Sequence, residues 1–474
     1  MVILSAAKPA IPRVVTFTPR CGISTFNNSK NSTGYQRVRS SSTSVLPEIK
    51  ATQETRAPLP PLSALPTSVL LRSLLVATIS SKPYLLLPSL SILSFLCKPR
   101  KGALLDVDRN PIIHGILKST FYKQFCAGET HDEVKGTIKQ LNDMGFQGTI
   151  MTYAKETVFD HKTNTQHGLG IAVGKDATGT TFCPHIEAWR KGTVETVELL
   201  GENDYLAVKL TGAGPTVTTA FSTGDLPPQQ MLDALEEIST KCKDRGIRIL
   251  VDAESQHFQS GILRVTLDLM RKYNRDGYAS IYNTYQAYLK STASTLDKHL
   301  TAASEEGFTL GLKLVRGAYI ASDERSLIHD TKQDTDDAYN GIAQGALRQE
   351  IGTFGTPHGR SFPSVNLFLA SHNKESVLAA HSLHQQRLKA KLPTVAVGFA
   401  QLHGMSDEVS FSLLQMKKGA DGDPRVYKCS TWGGLGECLA YLLRRAIENR
   451  DAVGRTGEEY LALRAEARRR FFST

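Results

Sequence analysis

Thr309-Leu310-Gly311-Leu312-Lys313-Leu314-Val315-Arg316-Gly317-Ala318-Tyr319 is an almost unbroken apolar run that ends in polar and small residues. A strand of a parallel sheet reads this way, because helices cover both of its faces. Amphipathic segments at 287–306 and 336–351 flank it, with apolar residues at helical spacing. The alternation continues outward. Further β-rich runs fall at 148–154, 205–211, 247–253, 279–286, 365–371, 394–401 and 426–431, and helical patterns at 228–245, 258–274, 374–389 and 406–417. Eight β runs with helices between them predict an α/β fold, a (β/α)8 barrel of the TIM type rather than an open sheet. No Gly-x-Gly-x-x-Gly follows a strand and no Walker motif is present, which disfavours a Rossmann unit.

The N-terminal stretch is of a different kind. Residues 1–100 hold 12 Lys and Arg against only Glu48 and Glu54, so the whole formal charge of +10 resides there. The neutral body removes the usual case for a nucleic-acid partner. Residues 1–56 are rich in Ser, Thr and Arg, the composition of a disordered mitochondrial transit peptide; a plain basic tail is the alternative. An N-terminal arm follows over 57–147, opening with a Pro- and Leu-rich linker at 57–66 and two apolar helices within 67–97. The second apolar run falls short of the ~20 residues a bilayer span needs and contains Pro88. It is expected to pack on the body or to lie against a membrane surface. The barrel is expected over 148–455 and a helical tail over 456–474. Seven scattered cysteines show no zinc spacing, so free thiols and no metal site are expected.

In such a barrel, chemistry gathers at the C-terminal ends of the strands. Those ends carry Lys209; Asp252 and Glu254; Asn283, Tyr285 and Gln286; Lys313, Arg316 and Tyr319; Ser371, His372 and Asn373; and Gln401, Leu402 and His403. Singly, each has a plainer reading. A Lys or Asp there is often a loop ion pair, His372 and His403 lack metal-ligand spacing, and Gly317 can simply stop a strand. Packing would place apolar or turn residues at these ends, so polar side chains at almost every one point to a site. The segment Cys438-Leu439-Ala440-Tyr441-Leu442-Leu443-Arg444-Arg445-Ala446-Ile447-Glu448-Asn449-Arg450 follows the eighth strand. Adjacent helix positions point about 100° apart, so Arg444 and Arg445 cannot both avoid the face marked by Leu439, Leu442, Leu443 and Ala446. Glu448 can pair with them. A bidentate clamp for a ligand carboxylate and a solvated ion-pair triad both fit this pattern.

At these residues the chain resembles the proline dehydrogenase family in its eukaryotic mitochondrial form. The resemblance is carried, in order, by Val251-Asp252-Ala253-Glu254, Asn283-Thr284-Tyr285-Gln286-Ala287-Tyr288-Leu289-Lys290, Lys313-Leu314-Val315-Arg316-Gly317-Ala318-Tyr319, Ala370-Ser371-His372-Asn373, Gln401-Leu402-His403-Gly404-Met405 and Tyr441-Leu442-Leu443-Arg444-Arg445-Ala446-Ile447-Glu448-Asn449. It implies a distorted (β/α)8 barrel that binds FAD without a covalent bond. It also implies oxidation of L-proline to Δ1-pyrroline-5-carboxylate, electron transfer to ubiquinone, and peripheral association with the matrix side of the inner mitochondrial membrane.

By position, the resemblance implies that Arg444 and Arg445 hold the proline carboxylate, oriented by Glu448 and Asp252. Lys209, Leu314, Ala318, Tyr319, Leu402 and Tyr441 would line the pocket around the ring. Lys313 would face the flavin, while Asn283, Gln286, Val315, Arg316, Gly317, His372, Asn373 and Gln401 would contact it or its phosphates. One position departs. The family usually carries Tyr where this chain has Cys429, and Tyr427 lies two residues, about 6.6 Å, back along the strand. The more open pocket leaves hydroxyproline or another cyclic imino acid as an alternative substrate. In a different class, a Schiff-base lyase could use Lys209 or Lys313.

Overall fold

Eight parallel strands close into a barrel in the computed structural model, which describes residues 59–97, 105–153, 157–160, 165–168, 182–320, 322–451 and 453–472. The strands are Gly148–Tyr153 (β1), Thr157–Asp160 (β2), Thr165–Gly168 (β3), Tyr205–Val208 (β4), Arg248–Val251 (β5), Ile281–Gln286 (β6), Leu310–Val315 (β7), Val365–Ala370 (β8), Val397–Leu402 (β9) and Arg425–Trp432 (β10). β2 and β3 form a separate antiparallel pair; the rest run in the order β1-β10-β9-β8-β7-β6-β5-β4 and close between β4 and β1. Each β-rich run of the sequence supplies one barrel strand, so the expected (β/α)8 barrel is what forms. The transit segment expected at 1–56 lies outside the described residues.

Two helices between β1 and β5, Pro184–Leu199 and Pro215–Thr223, have no counterpart in the periodicity reading. Each begins with proline at its first turn, where a missing N–H costs nothing. Their buried faces include Gly192, Thr193, Thr196 and Thr218, residues that an apolar-stripe search scores as solvent-facing.

Strand parity divides the barrel's side chains into two sets. Ile150, Tyr205, Ala207, Leu250, Tyr282, Phe368, Ala400 and Tyr427 form the interior cluster. Val208, Ile249, Val251, Leu312, Leu314, Leu369, Phe399 and Val426 belong to the larger core shared with the helices. The lower interior is plugged by aromatic rings, with Tyr205 4.9 Å from Phe368 and 5.0 Å from Tyr427 between centroids. Gly311 lets β7 approach β6 closely, since a Cβ there would strike the Ile281 carbonyl and the Tyr282 backbone. The plug leaves the C-terminal mouth as the end where a ligand can enter.

The arm is built onto the body. Leu62 and Leu65, within the stretch expected as a linker, are buried. Thr67–Ser80 and Pro83–Leu96 form two helices bent by 98° at their junction. The first packs on the C-terminal helix Val453–Phe472, the second on the helix Leu435–Asp451. Leu86, Leu90 and Leu93, spaced at i, i+4 and i+7, bury one stripe against Leu439, Leu442 and Ala446.

Candidate active site

The interior parity of three strands converges on three charged residues at the mouth. Lys209 continues the face of Tyr205 and Ala207, Asp252 that of Leu250, and Lys313 pairs in register with Phe368. The Lys313 ammonium donates to Asp252 Oδ1 at 2.7 Å, and Lys209 Nζ lies 3.1 Å from Oδ2. Burial alone would raise the Asp252 pKa, but the two ammonium groups outweigh it and hold the carboxyl down to about 2. Lys209 shows the reciprocal effect. Burial works against its charge, yet Tyr319, Asp252 and Glu254 together push its pKa up. At neutral pH the cluster therefore holds the Lys209 cation against the Asp252 anion.

Glu254, two residues beyond Asp252, is buried and its carboxyl is pushed up to about 7, chiefly by burial, with Lys209 and Thr211 acting against the shift. Both of its oxygens accept from Thr211, Oε1 from the backbone N at 3.2 Å and Oε2 from the hydroxyl. This contact ties the ends of β4 and β5, the two strands that supply Lys209 and Asp252. From outside the barrel, Trp189 donates its indole N–H to the Lys209 carbonyl at 2.9 Å.

Tyr319 sits on the loop after β7, and a second buried carboxylate fixes that loop. Asp323 donates its backbone N–H to the Tyr319 carbonyl at 2.7 Å. Its side chain accepts from Tyr288 Oη at 2.8 Å, and from Ser255 Oγ and Gln256 N at 3.1 Å each. Asp323 thus caps the helix Gln256–Tyr273 from a distant loop. Gly317 begins the same loop at φ 149°, where a side chain would be strained and would run into the Tyr288 ring.

Across the mouth, His372 Nε2 accepts from the Leu402 N–H at 3.1 Å and joins the ends of β8 and β9. Asn373 caps the helix Lys374–Lys389 by accepting from Ser376 N at 2.9 Å. Cys429 follows Tyr427 on the interior face, in register with Leu402 on one side and Ile150 on the other, and is half-buried. Tyr441 is buried on the helix Leu435–Asp451. That helix starts under two carboxylates of the arm: Glu129 accepts from Leu435 N at 2.8 Å and Asp108 from Gly436 N at 3.1 Å. It carries Arg444, Arg445 and Glu448, whose side chains lie outside the described residues.

Three expected contacts are not at the mouth. Leu314 is fully buried in the outer core, so it does not line the interior. Asn283 has the outward parity of Val251 and Leu312, its register partners, and stands on the same strand face as Tyr285, which bonds His299. Gln401 also faces outward, accepting from Ser410 Oγ at 2.8 Å and donating to the Ser371 carbonyl at 3.1 Å. In each case the motif's neighbour on the other parity, Lys313, Gln286 or Leu402, is the one that points in. Arg316 is committed to structure on at least three nitrogens: Nε donates to Asp336 at 2.9 Å, Nη2 to Ser376 at 2.9 Å, and Nη1 to Ser371. Val315 and Ala318 remain at the rim, half-buried and exposed.

Thr211, Trp189, Tyr288 and Asp323 were not legible as site residues. Their partners lie 20 to 68 residues away in sequence, and no local pattern records such pairings. The donor set also fits a flavin. Gln286 Oε1 is buried on the interior side of β6 with no hydrogen-bond partner among the described residues, beside the strand that carries the Lys313 donor. A planar heterocycle with N–H and carbonyl edges would use both.

The chain is similar to known proteins. A family model described as proline dehydrogenase matches residues 134–458. A probable mitochondrial proline dehydrogenase of Schizosaccharomyces pombe is 30% identical over 85% of this chain and 88% of its own length. A hydroxyproline dehydrogenase of Bos taurus is 29% identical over 75% of this chain and 82% of its own. Among solved structures, proline utilization A from Bdellovibrio bacteriovorus, inactivated by N-propargylglycine, superposes with a TM-score of 0.59 at 17% identity. That match covers 85% of this chain, which spans only 40% of the bacterial one.

Proposed function

This chain belongs to the proline dehydrogenase family, and on that premise we propose that it oxidises L-proline to Δ1-pyrroline-5-carboxylate with bound FAD. The observation that carries the reading is the Lys209–Asp252–Lys313 cluster at the barrel mouth, with the unpartnered Gln286 oxygen beside it. Lys313 and Gln286 would hold the flavin ring, with Val315, Gly317, His372 and Asn373 around it. The flavin, when bound, supplies a two-electron acceptor for the hydrogen leaving the ring carbon next to nitrogen.

The chain's own residues bind and orient. Arg444 and Arg445 would clamp the substrate carboxylate, with Glu448 beside them. Asp252 keeps Lys209 and Lys313 in fixed positions and balances their charge, so the site is set before substrate enters. Tyr319, Leu402 and Tyr441 would enclose the ring and exclude water. The substrate nitrogen loses its proton in the overall reaction, and the electrons would pass on to ubiquinone. That acceptor fits an enzyme of the mitochondrion held peripherally on the matrix side of the inner membrane.

A second reading rests on Cys429. A small thiol on the interior face, in register with Leu402, leaves room for a ring substituent that a tyrosine would fill. Hydroxyproline, the substrate class named for the bovine relative, would fit there.

The deciding experiment is the visible spectrum of the purified protein before and after anaerobic L-proline. A flavin spectrum that bleaches with proline is expected. A flavin that bleaches only with trans-4-hydroxy-L-proline would transfer the function to the second reading. A folded protein that stays colourless with added FAD would overturn both, and a borohydride-trapped lysine adduct would then favour a Schiff-base lyase.

A further inference from the structure

We infer that the outer face of the helix Pro83–Leu96 docks this protein flat on an anionic phospholipid surface. The inference rests on the reading of a membrane-associated enzyme above, and names the surface and the lipid class.

The helix is apolar on both sides. Leu86, Leu90 and Leu93 are buried against the body, while Tyr84 is 70% exposed, Leu87 55% and Ile92 61%. No charged residue occurs anywhere in its 14 residues. A solvent-facing helix normally carries charge on its outer side, so water is the wrong medium for this one. Two of its exposed hydroxyls are satisfied internally: Ser89 donates to the Leu85 carbonyl at 2.8 Å and Ser91 to the Leu87 carbonyl at 3.0 Å. A helix entering an apolar phase needs that arrangement. The short helix Pro111–Leu117 turns Ile113 and Leu117 toward the same cluster and leaves Ile112 and Ile116 exposed.

Length and burial decide between lying on the bilayer and crossing it. Fourteen residues reach about 21 Å, against a hydrocarbon core of about 30 Å, and the inner stripe is already held by protein. Charge decides between lipid and a second copy of this chain. From Thr55 to Leu105 there is no acidic residue, while Arg56, Arg72, Lys82, Lys98, Arg100 and Lys101 are all basic. Two such segments would repel each other, whereas an anionic leaflet attracts them. The inner stripe shares its cluster with Tyr441 and Leu442, so the docked surface lies one helix away from the helix bearing the two arginines.

The test is co-sedimentation of the full chain with vesicles of phosphatidylcholine alone, and with about a third phosphatidylglycerol. The parent is compared with the doubly substituted Leu87→Glu/Ile92→Glu chain, and turnover of both is followed with a soluble electron acceptor. Both positions are exposed, so the substitutions leave the fold and soluble turnover unchanged. Expected is binding of the parent to the anionic vesicles and a loss of at least about tenfold in partition for the variant. Equal binding of parent and variant would overturn the assignment of this face while leaving membrane association intact. A parent that binds neither vesicle would overturn both, and concentration-dependent self-association abolished by the substitutions would replace lipid by a second copy.

Discussion

Replacing Asp252 with Asn keeps the shape of the side chain and removes the charge that balances Lys209 and Lys313. Its folded pKa of about 2 lies below the ordinary value of 3.8. At about 1.4 kcal/mol for each tenfold change in proton affinity, that gap is worth about 2 kcal/mol of stability at neutral pH. Leaving two buried ammonium groups without their anion raises the cost toward the ~3–5 kcal/mol typical of a broken buried pair. A depressed carboxylate contributes its stability above the unfolded value, and loses it as pH falls through the folded one. The parent's advantage over Asp252→Asn is therefore full at pH 7, about half gone from the linkage part by pH 3, and absent below about 2. Urea unfolding of both proteins between pH 3 and 7, at equal FAD loading, reads this directly. A variant with the parental midpoint at pH 7, or a deficit that does not shrink on acidification, would refute the account of the cluster.

The remaining predictions concern neighbouring groups. Glu254, raised to about 7 from an ordinary 4.5, makes stability fall as pH rises from 4.5 to 7, by an amount on the order of 3 kcal/mol. In Glu254→Gln the melting temperature should lose that slope, and an unchanged slope would count against a buried protonated carboxyl. Asp323→Asn, which weakens the contacts to Tyr288, Ser255 and the Gln256 N–H, should cost about 1–2 kcal/mol in urea unfolding. It should also raise KM for proline by releasing the Tyr319 loop; parental stability and KM together would remove its positioning role. Arg445→Met should lower kcat/KM for proline about a hundredfold, and parental efficiency would refute the carboxylate clamp. Cys429→Tyr should raise the ratio of kcat/KM for L-proline over trans-4-hydroxy-L-proline about tenfold, and an unmoved ratio would mean that this position does not set substrate width.

Much of this protein was legible from one dimension. Near-continuous apolar runs such as Leu310–Val315, alternating with helical stripes, admit few arrangements other than a parallel barrel sheathed in helices. The barrel in turn places Lys209, Asp252 and Lys313 at one end, because parallel strands bring all of their C-terminal ends to one face. The helix Pro184–Leu199 stayed hidden because its buried face is built from glycine and threonine as well as apolar residues. Gly192 is required where the Tyr153 ring presses against the helix, a demand of packing rather than of periodicity.

Sequence motifs determined which segments come to the mouth but not which side chains face it. Leu314 and Lys313 are adjacent in one motif, yet one lies in the outer core and the other bonds Asp252. Only the register of β7 between β6 and β8 decides this, since a slip of one residue exchanges the two faces of a strand. The same holds for Thr211 on Glu254 and Asp323 on Tyr288. Local sequence records the propensity of each segment to be strand, helix or loop. The pairing of carboxylates with donors 35 or 43 residues away exists only once the closed barrel has brought those ends together.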